Sequence, residues 1–269
     1  MNEPQLSELP GSLRAAIGAL VQRPRILLGV DFDGVIAPFV TDPMQARPAQ
    51  GALTSLYAAA SLRGVTVAVV SGRDLQTLRA VTGIPHTSPI VLIGSHGGQS
   101  SLERPEGSAR LDADANARLA AVSADLAGVA LAHPGARIEL KPGAVALHTR
   151  GVDPSVGAAA LAAALGLATR HPGVHVIPGK EVVELTVVET DKGVALQTLA
   201  AARAVDATAY FGDDVTDERA FAALDPHTGD VTVKVGDGDT LAAHRLGAVE
   251  DVVTALGFVV TARQFGSHD

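Results

Sequence analysis

The stretch GVDFDGVIAP, residues 29–38, closes an apolar run that begins at Ile26 and carries it straight into two aspartates, Asp31 and Asp33. An apolar run this short and continuous reads as a strand buried on both faces. Gly34 and Pro38 then break it. Two carboxylates so close repel one another and lose solvation on burial, so a compensating cation is expected beside them.

Working outward, strands and helices alternate. Val65–Val70 and Ile90–Ile93 are further buried strands, with helical spacing over Gly51–Leu62 and Asp74–Val81 between them. This is the pattern of a parallel sheet covered on both faces. From about residue 103 the pattern changes. An Ala-rich helix runs to about Ala130, and Arg137–Leu140 and Ala144–Thr149 flank a Pro-Gly turn. A helix over Pro154–Leu167 follows, then strands at His175–Ile177 and Val182–Val188 around a second Pro-Gly turn. Alternation resumes with a helix at Gly193–Ala204, a strand at Thr208–Phe211, a helix at Asp217–Leu224 and a strand at Val231–Val235. Leu241–Leu246 and Asp251–Phe258 read as closing helices. The expected fold is therefore α/β: a Rossmann-like parallel-sheet core, residues 1–102 and 189–269, interrupted by an α+β insertion at 103–188. The segment before Pro24 reads as a loose helix without an assigned function.

Composition narrows the chemistry. The 269 residues are 47% hydrophobic but only 3% aromatic, with no Trp, so stacking platforms are scarce. A net charge of −8 argues against nucleic acid as a partner. It leaves room for a small phosphorylated substrate in a local positive pocket. No cysteine is present, which excludes disulfides and thiolate metal sites. Apolar runs are short or broken by charge, so no membrane span is expected. A cytoplasmic monomer is the expected form.

In open α/β sheets, ligands gather at the carboxyl ends of the strands. Three predicted ends carry Asp31-Phe32-Asp33-Gly34, Ser71-Gly72-Arg73 and Gly212-Asp213-Asp214-Val215-Thr216-Asp217, and Asp191-Lys192-Gly193 precedes a core helix. Taken singly, each has a plain reading as a turn, a helix cap or a solvated charge. Taken together, they offer phosphoryl chemistry. Asp31 is the expected nucleophile and Asp33 the general acid and base. Ser71, with backbone donors at Gly34 and Gly72, holds phosphate oxygens, and Arg73 adds a donor fork. Lys192 supplies positive charge. Asp31, Asp33 and Asp213 are hard oxygen ligands suited to Mg²⁺. Asp214 and Asp217 hold its waters or orient Lys192.

This ordered set resembles the four motifs of the haloacid dehalogenase-like (HAD) phosphatases, with Val35 standing where many relatives have Thr. A finer resemblance is to the trehalose-6-phosphate phosphatases. It rests on Gly94-Ser95-His96-Gly97, on Lys141 followed by His148-Thr149-Arg150, and on Gly179-Lys180-Glu181-Val182-Val183-Glu184. The resemblance implies Mg²⁺-dependent hydrolysis of trehalose 6-phosphate through an aspartyl-phosphate. It further implies that the insertion is a cap clamping the sugar, with His96, Lys141, His148, Arg150, Lys180 and Glu184 near its hydroxyls or phosphate. Gln99, Thr149 and Thr186-Val187 depart from the residues many relatives carry, on the sugar side of that pattern. Phosphatases of other sugar phosphates, such as sucrose or glucosylglycerol phosphate, stay open, as does a non-catalytic sugar-phosphate-binding module. For Glu184 a cross-strand salt bridge is the plain alternative to sugar contact.

Overall fold

The computed structural model describes residues 9–102, 111–141, 143–179, 181–187 and 191–265. It forms two compact units: Met1–Glu103 with Thr190–Asp269, and Arg104–Glu189. The first unit opens with α1 (Gly11–Leu20), whose Leu13, Ile17 and Leu20 recur at helical spacing and are all buried. The segment expected to be a loose helix is thus part of the core, beside Ile26, Leu28 and Phe211. Next come β1 (Ile26–Asp31), α2 (Ala52–Ala60), β2 (Val65–Val70), α3 (Leu75–Thr82), β3 (Val91–Gly94) and the short β4 (Gln99–Ser100). Asp74 caps α3 by accepting from the Thr77 N–H at 2.9 Å.

The second unit contains α4 (Ala113–Ala132), β5 (Arg137–Lys141), β6 (Ala144–His148), α5 (Pro154–Ala168), β7 (His175–Gly179) and β8 (Val182–Thr186). Its strands form an antiparallel sheet in the order β5-β6-β8-β7. Strand period two gives the sheet two unlike faces. Val145, Leu147, Val183 and Leu185 pack against Val122 and Leu126 of α4 and Ala160, Ala164 and Leu167 of α5. The opposite face carries Glu139, Lys141, His148 and Glu184.

The chain then completes the first unit with α6 (Lys192–Ala202), β9 (Ala207–Gly212), α7 (Asp217–Ala223), β10 (Val231–Val235), β11 (His244–Leu246) and α8 (Val249–Phe265). The seven-stranded sheet runs β11-β10-β9-β1-β2-β3-β4 and is parallel except at β4. Both faces are covered. Leu28, Val69 and Phe211 lie in one core with Leu56 and Val252, and Leu27, Val70 and Tyr210 in another with Leu196 and Phe221. The chain leaves β1 toward β2 and returns, after the second unit, to β9 on the other side of β1. That change of direction opens a crevice at the carboxyl end of β1, where Asp31 is the last strand residue.

One element differs in kind from expectation. Leu241–Leu246 was expected to be a closing helix, yet His244–Leu246 pairs in parallel with Val233–Val235. The Arg245 guanidinium donates to the carbonyls of Gly236 and Gly238. Edge pairing and this clamp outweigh the local preference of Leu-Ala-Ala for helix. The last helix is also longer than Asp251–Phe258.

Leu28 sits in the central strand with no exposure. Leu28→Ala is expected to cost about 2–5 kcal/mol of stability, read by urea unfolding.

Candidate active site

The carboxyl end of β1 meets the first residue of α6 and the first residue of α7. Lys192 is almost wholly buried, and its Nζ donates to Asp31 Oδ2 at 2.6 Å and to Asp217 Oδ1 at 2.8 Å. Asp214 lies 3.9 Å from the same ammonium. Asp217 has no exposure and accepts four hydrogen bonds: from Lys192, from the Tyr210 hydroxyl at 2.7 Å, and from the N–H groups of Asp213 and Asp214. Asp31 Oδ1 accepts from the Phe32 N–H. Burial alone would lower the Lys192 pKa, but Asp31, Asp217 and Asp214 outweigh it and hold the ammonium charged. Burial pushes the Asp31 carboxyl well up, against the pull of Lys192. One ammonium is shared between two buried acids, so Asp31 is under-compensated.

Asp33 is held differently. Arg73 Nε and the Arg73 NH2 group each donate to its carboxylate at 2.7 Å, a bidentate fork. The guanidinium also lies 5.4 Å from the Phe32 ring centre and donates to the Pro43 carbonyl. The loops after β2 and β3 are laced together. The Ser95 N–H donates to the Arg73 carbonyl and the His96 N–H to the Ser71 carbonyl. The buried Ser71 Oγ accepts from the Arg73 N–H at 3.2 Å. His96 takes a left-handed backbone, φ 52°, and its ring lies against Gly72. Burial, aided by the Lys192 charge, lowers its pKa and favours the neutral imidazole.

The acidic centre offers several carboxylate donors to a cation. Oxygens of Asp31, Asp213 and Asp217 lie within 4.8 Å of one another. Asp217 already accepts four hydrogen bonds, which suits it to orienting its neighbours rather than to ligation. Asp31 and Asp213 keep lone pairs for an ion. Asp213 presses so close to the first loop that a Cβ on Gly34 would stand 2.1 Å from its Oδ2. Burial, with Asp217 and Asp214 nearby, raises the Asp213 pKa to about 6. Lys234, buried in β10, donates to the Asp213 carbonyl. With Asp33 matched by Arg73, four carboxylates face two ammonium groups, an excess that one divalent cation would neutralise. The donor set fits such an ion. The Asp33 carboxylate, expected among the ligands, is outside this cluster because Arg73 engages both its oxygens.

In the second unit, Lys141 Nζ donates to Glu184 Oε2 at 2.6 Å and His148 Nε2 pairs with Glu139 Oε2 at 2.9 Å. The ion pair considered for Glu184 is therefore formed, spanning from β5 across β6 to β8. Arg150 is mostly exposed, with Nε 3.9 Å from Glu181. Lys180 lies outside the described residues. Sequence reasoning missed Tyr210, Lys234 and Glu139. Lys234 carried a readable signal, a charge inside the apolar strand Val231–Val235.

The trehalose-phosphatase family model matches residues 29–246 of this chain. The chain belongs to the trehalose-phosphatase family. It is 34% identical over 252 residues to a trehalose-phosphate phosphatase of Mycobacterium ulcerans, a match covering 88% of this chain and 62% of that protein. The chain thus spans about three fifths of the length of such relatives. The structure of Aspergillus fumigatus trehalose-6-phosphate phosphatase superposes with a TM-score of 0.61 at 26% identity, covering 92% of this chain and 97% of that one. The C-terminal domain of Candida albicans trehalose-6-phosphate phosphatase shares the fold, with a TM-score of 0.61 at 22% identity, covering 96% and 99%.

The three departures noted in the sequence have internal partners. Gln99 Oε1 accepts from the Leu75 N–H at the start of α3. Thr149 is buried and donates to the Glu181 carbonyl. Thr186 donates to the Gly143 carbonyl, and Val187 is buried in the core of the second unit.

The Asp213 shift has a definite sign. Its folded pKa of about 6 exceeds the ordinary carboxyl value of 3.8, so its contribution is full below 3.8 and is lost as pH rises through about 6. The cation-free protein should weaken across that window. A divalent cation, which competes with the proton, should raise Tm more at about pH 7.5 than at about pH 5. Equal shifts at both pH values would remove Asp213 from the ligand set.

Proposed function

We propose that this protein is a Mg²⁺-dependent phosphomonoesterase that converts trehalose 6-phosphate to trehalose and phosphate, as a cytoplasmic monomer serving trehalose biosynthesis. The observation that carries this reading is the buried carboxylate of Asp31, held at a strand end by Lys192 within an acidic centre short of positive charge.

The chemistry runs in two displacements. An Asp31 carboxylate oxygen attacks phosphorus, an aspartyl-phosphate bond forms, and the bond from phosphorus to the sugar oxygen breaks. Asp33, protonated, gives its proton to that oxygen as it leaves. In the second displacement Asp33 takes a proton from water as the water oxygen attacks phosphorus, and Asp31 departs as the free carboxylate. Lys192 and Arg73 stabilise negative charge on the transferring group, and Ser71 with the Gly72 N–H binds its oxygens; the Gly34 N–H, expected to join them, donates instead to the Ala37 carbonyl at 2.8 Å. Arg73 is one fork for two anions. A phosphoryl group that draws it away from Asp33 frees Asp33 to carry the proton. Asp31 and Asp213 would hold Mg²⁺, which when bound adds positive charge beside the phosphoryl oxygens. Asp214 and Asp217 orient Lys192 and the Asp213 loop.

We assign the inserted unit, residues 103–188, to sugar recognition. Glu184 accepts from sugar hydroxyls, with Lys141, His148, Arg150 and Lys180 as further polar partners within this unit; His96 is assigned to substrate binding in the core loop after β3. Charged partners bind neutral hydroxyls strongly once water is excluded. Gln99, Thr149, Thr186 and Val187 serve packing and backbone bonds, so these departures do not by themselves call for sucrose or glucosylglycerol phosphate.

Asp31→Asn should abolish phosphate release in a protein that still unfolds in one cooperative transition; substantial residual turnover would refute the covalent route. Phosphate release from trehalose 6-phosphate should exceed that from other sugar phosphates and vanish in EDTA. A preference for another ester by more than about 100-fold, or some 2.7 kcal/mol, would overturn the substrate. Binding without any turnover would make the protein a sugar-phosphate-binding module instead.

A further inference from the structure

Lys234 is a cation that the acidic centre does not visibly need for catalysis, set where cations rarely sit. It is the fourth residue of β10, whose other residues, Val231, Thr232, Val233 and Val235, are buried. An ammonium in such a strand carries a desolvation cost, so it stays only with a partner. Its register partner on β9 is Gly212, the residue immediately before Asp213. From there its Nζ reaches the Asp213 backbone carbonyl. The Asp213 N–H is in turn held by Asp217 Oδ2 at 2.8 Å. Both polar groups of the Asp213 main chain are thus fixed, one by Lys234 and one by Asp217.

We infer that Lys234 is a positioning residue for the cation site: it locks the Asp213 peptide so that the Asp213 carboxylate is presented beside Asp31. The inference rests on the cation-dependent reading of that centre. It is not a catalytic role, because Lys234 acts on the Asp213 carbonyl and not on the reacting atoms. It also predicts a sign that simple electrostatics does not. Removing a positive charge from the neighbourhood of a cation site should tighten cation binding. Releasing the Asp213 peptide should weaken it.

The test is direct cation binding to the full chain by calorimetric titration with Mn²⁺ and Mg²⁺, without substrate. Lys234→Met keeps the apolar stem and removes the ammonium. Its cation Kd is expected to rise about tenfold or more, with a circular dichroism spectrum like that of the unmodified protein. Should the Met variant fail to fold, Lys234→Leu carries the test, since it is apolar and has no donor for the Asp213 carbonyl; a Kd rise of about tenfold is expected. At saturating Mg²⁺ the folded variant should recover most of its kcat, because the defect lies in cation capture. Unchanged or tighter cation binding in the folded variants would overturn the inference. If the unmodified protein itself binds no divalent cation, the underlying reading of the centre fails first, and the inference falls with it.

Discussion

A single buried ammonium, that of Lys192, ties together three parts of the chain that lie far apart in sequence. Its partners Asp31 and Asp217 lie 161 and 25 residues away in sequence. Desolvating such charges costs several kcal/mol per ion, and their attraction offsets that only when geometry is good and remaining polar groups are bonded. Here they are bonded. Tyr210 and two backbone N–H groups complete Asp217, and the Phe32 N–H completes one oxygen of Asp31. The carboxyl end of β1 and the starts of α6 and α7 therefore share one geometry.

That arrangement leaves the crevice electrically unfinished. Asp217 is satisfied, Asp33 is paired with Arg73, and the remaining acids outnumber the ammonium groups. Burial first, and neighbouring carboxylates after it, raise the pKa values of Asp31 and Asp213. An excess of carboxylate held this close is a standing demand for a cation. Steric closeness sharpens it. At Gly212 a Cβ would stand 2.3 Å from Asp217 Cγ, so only glycine lets Asp217 approach the strand end.

The second unit follows another logic. Its sheet is two-faced, with one side spent on α4 and α5 and the other presenting paired charges. In Lys141–Glu184 and His148–Glu139 each group satisfies its neighbour. Such a face can exchange one polar partner for another, and hydroxyl groups suit that exchange.

Local pattern was enough for the alternation of strands and helices and for the motifs at the strand ends. Each depends on neighbours in sequence: continuous apolar runs for buried strands, Pro-Gly for hairpins, Asp74 for a cap. What local pattern could not decide depends on distant partners. Leu241–Leu246 is no helix because β10 offers it an edge and Arg245 clamps the loop. Asp33 is bound to Arg73, and its carboxylate is not part of the acidic cluster, because the loop after β2 brings a guanidinium to it. Asp217 and Asp213 look alike in the motif, yet one is saturated with hydrogen bonds and the other left open to an ion. A sequence specifies which charges a chain must bury; only the folded chain decides which of them are neutralised, and by what.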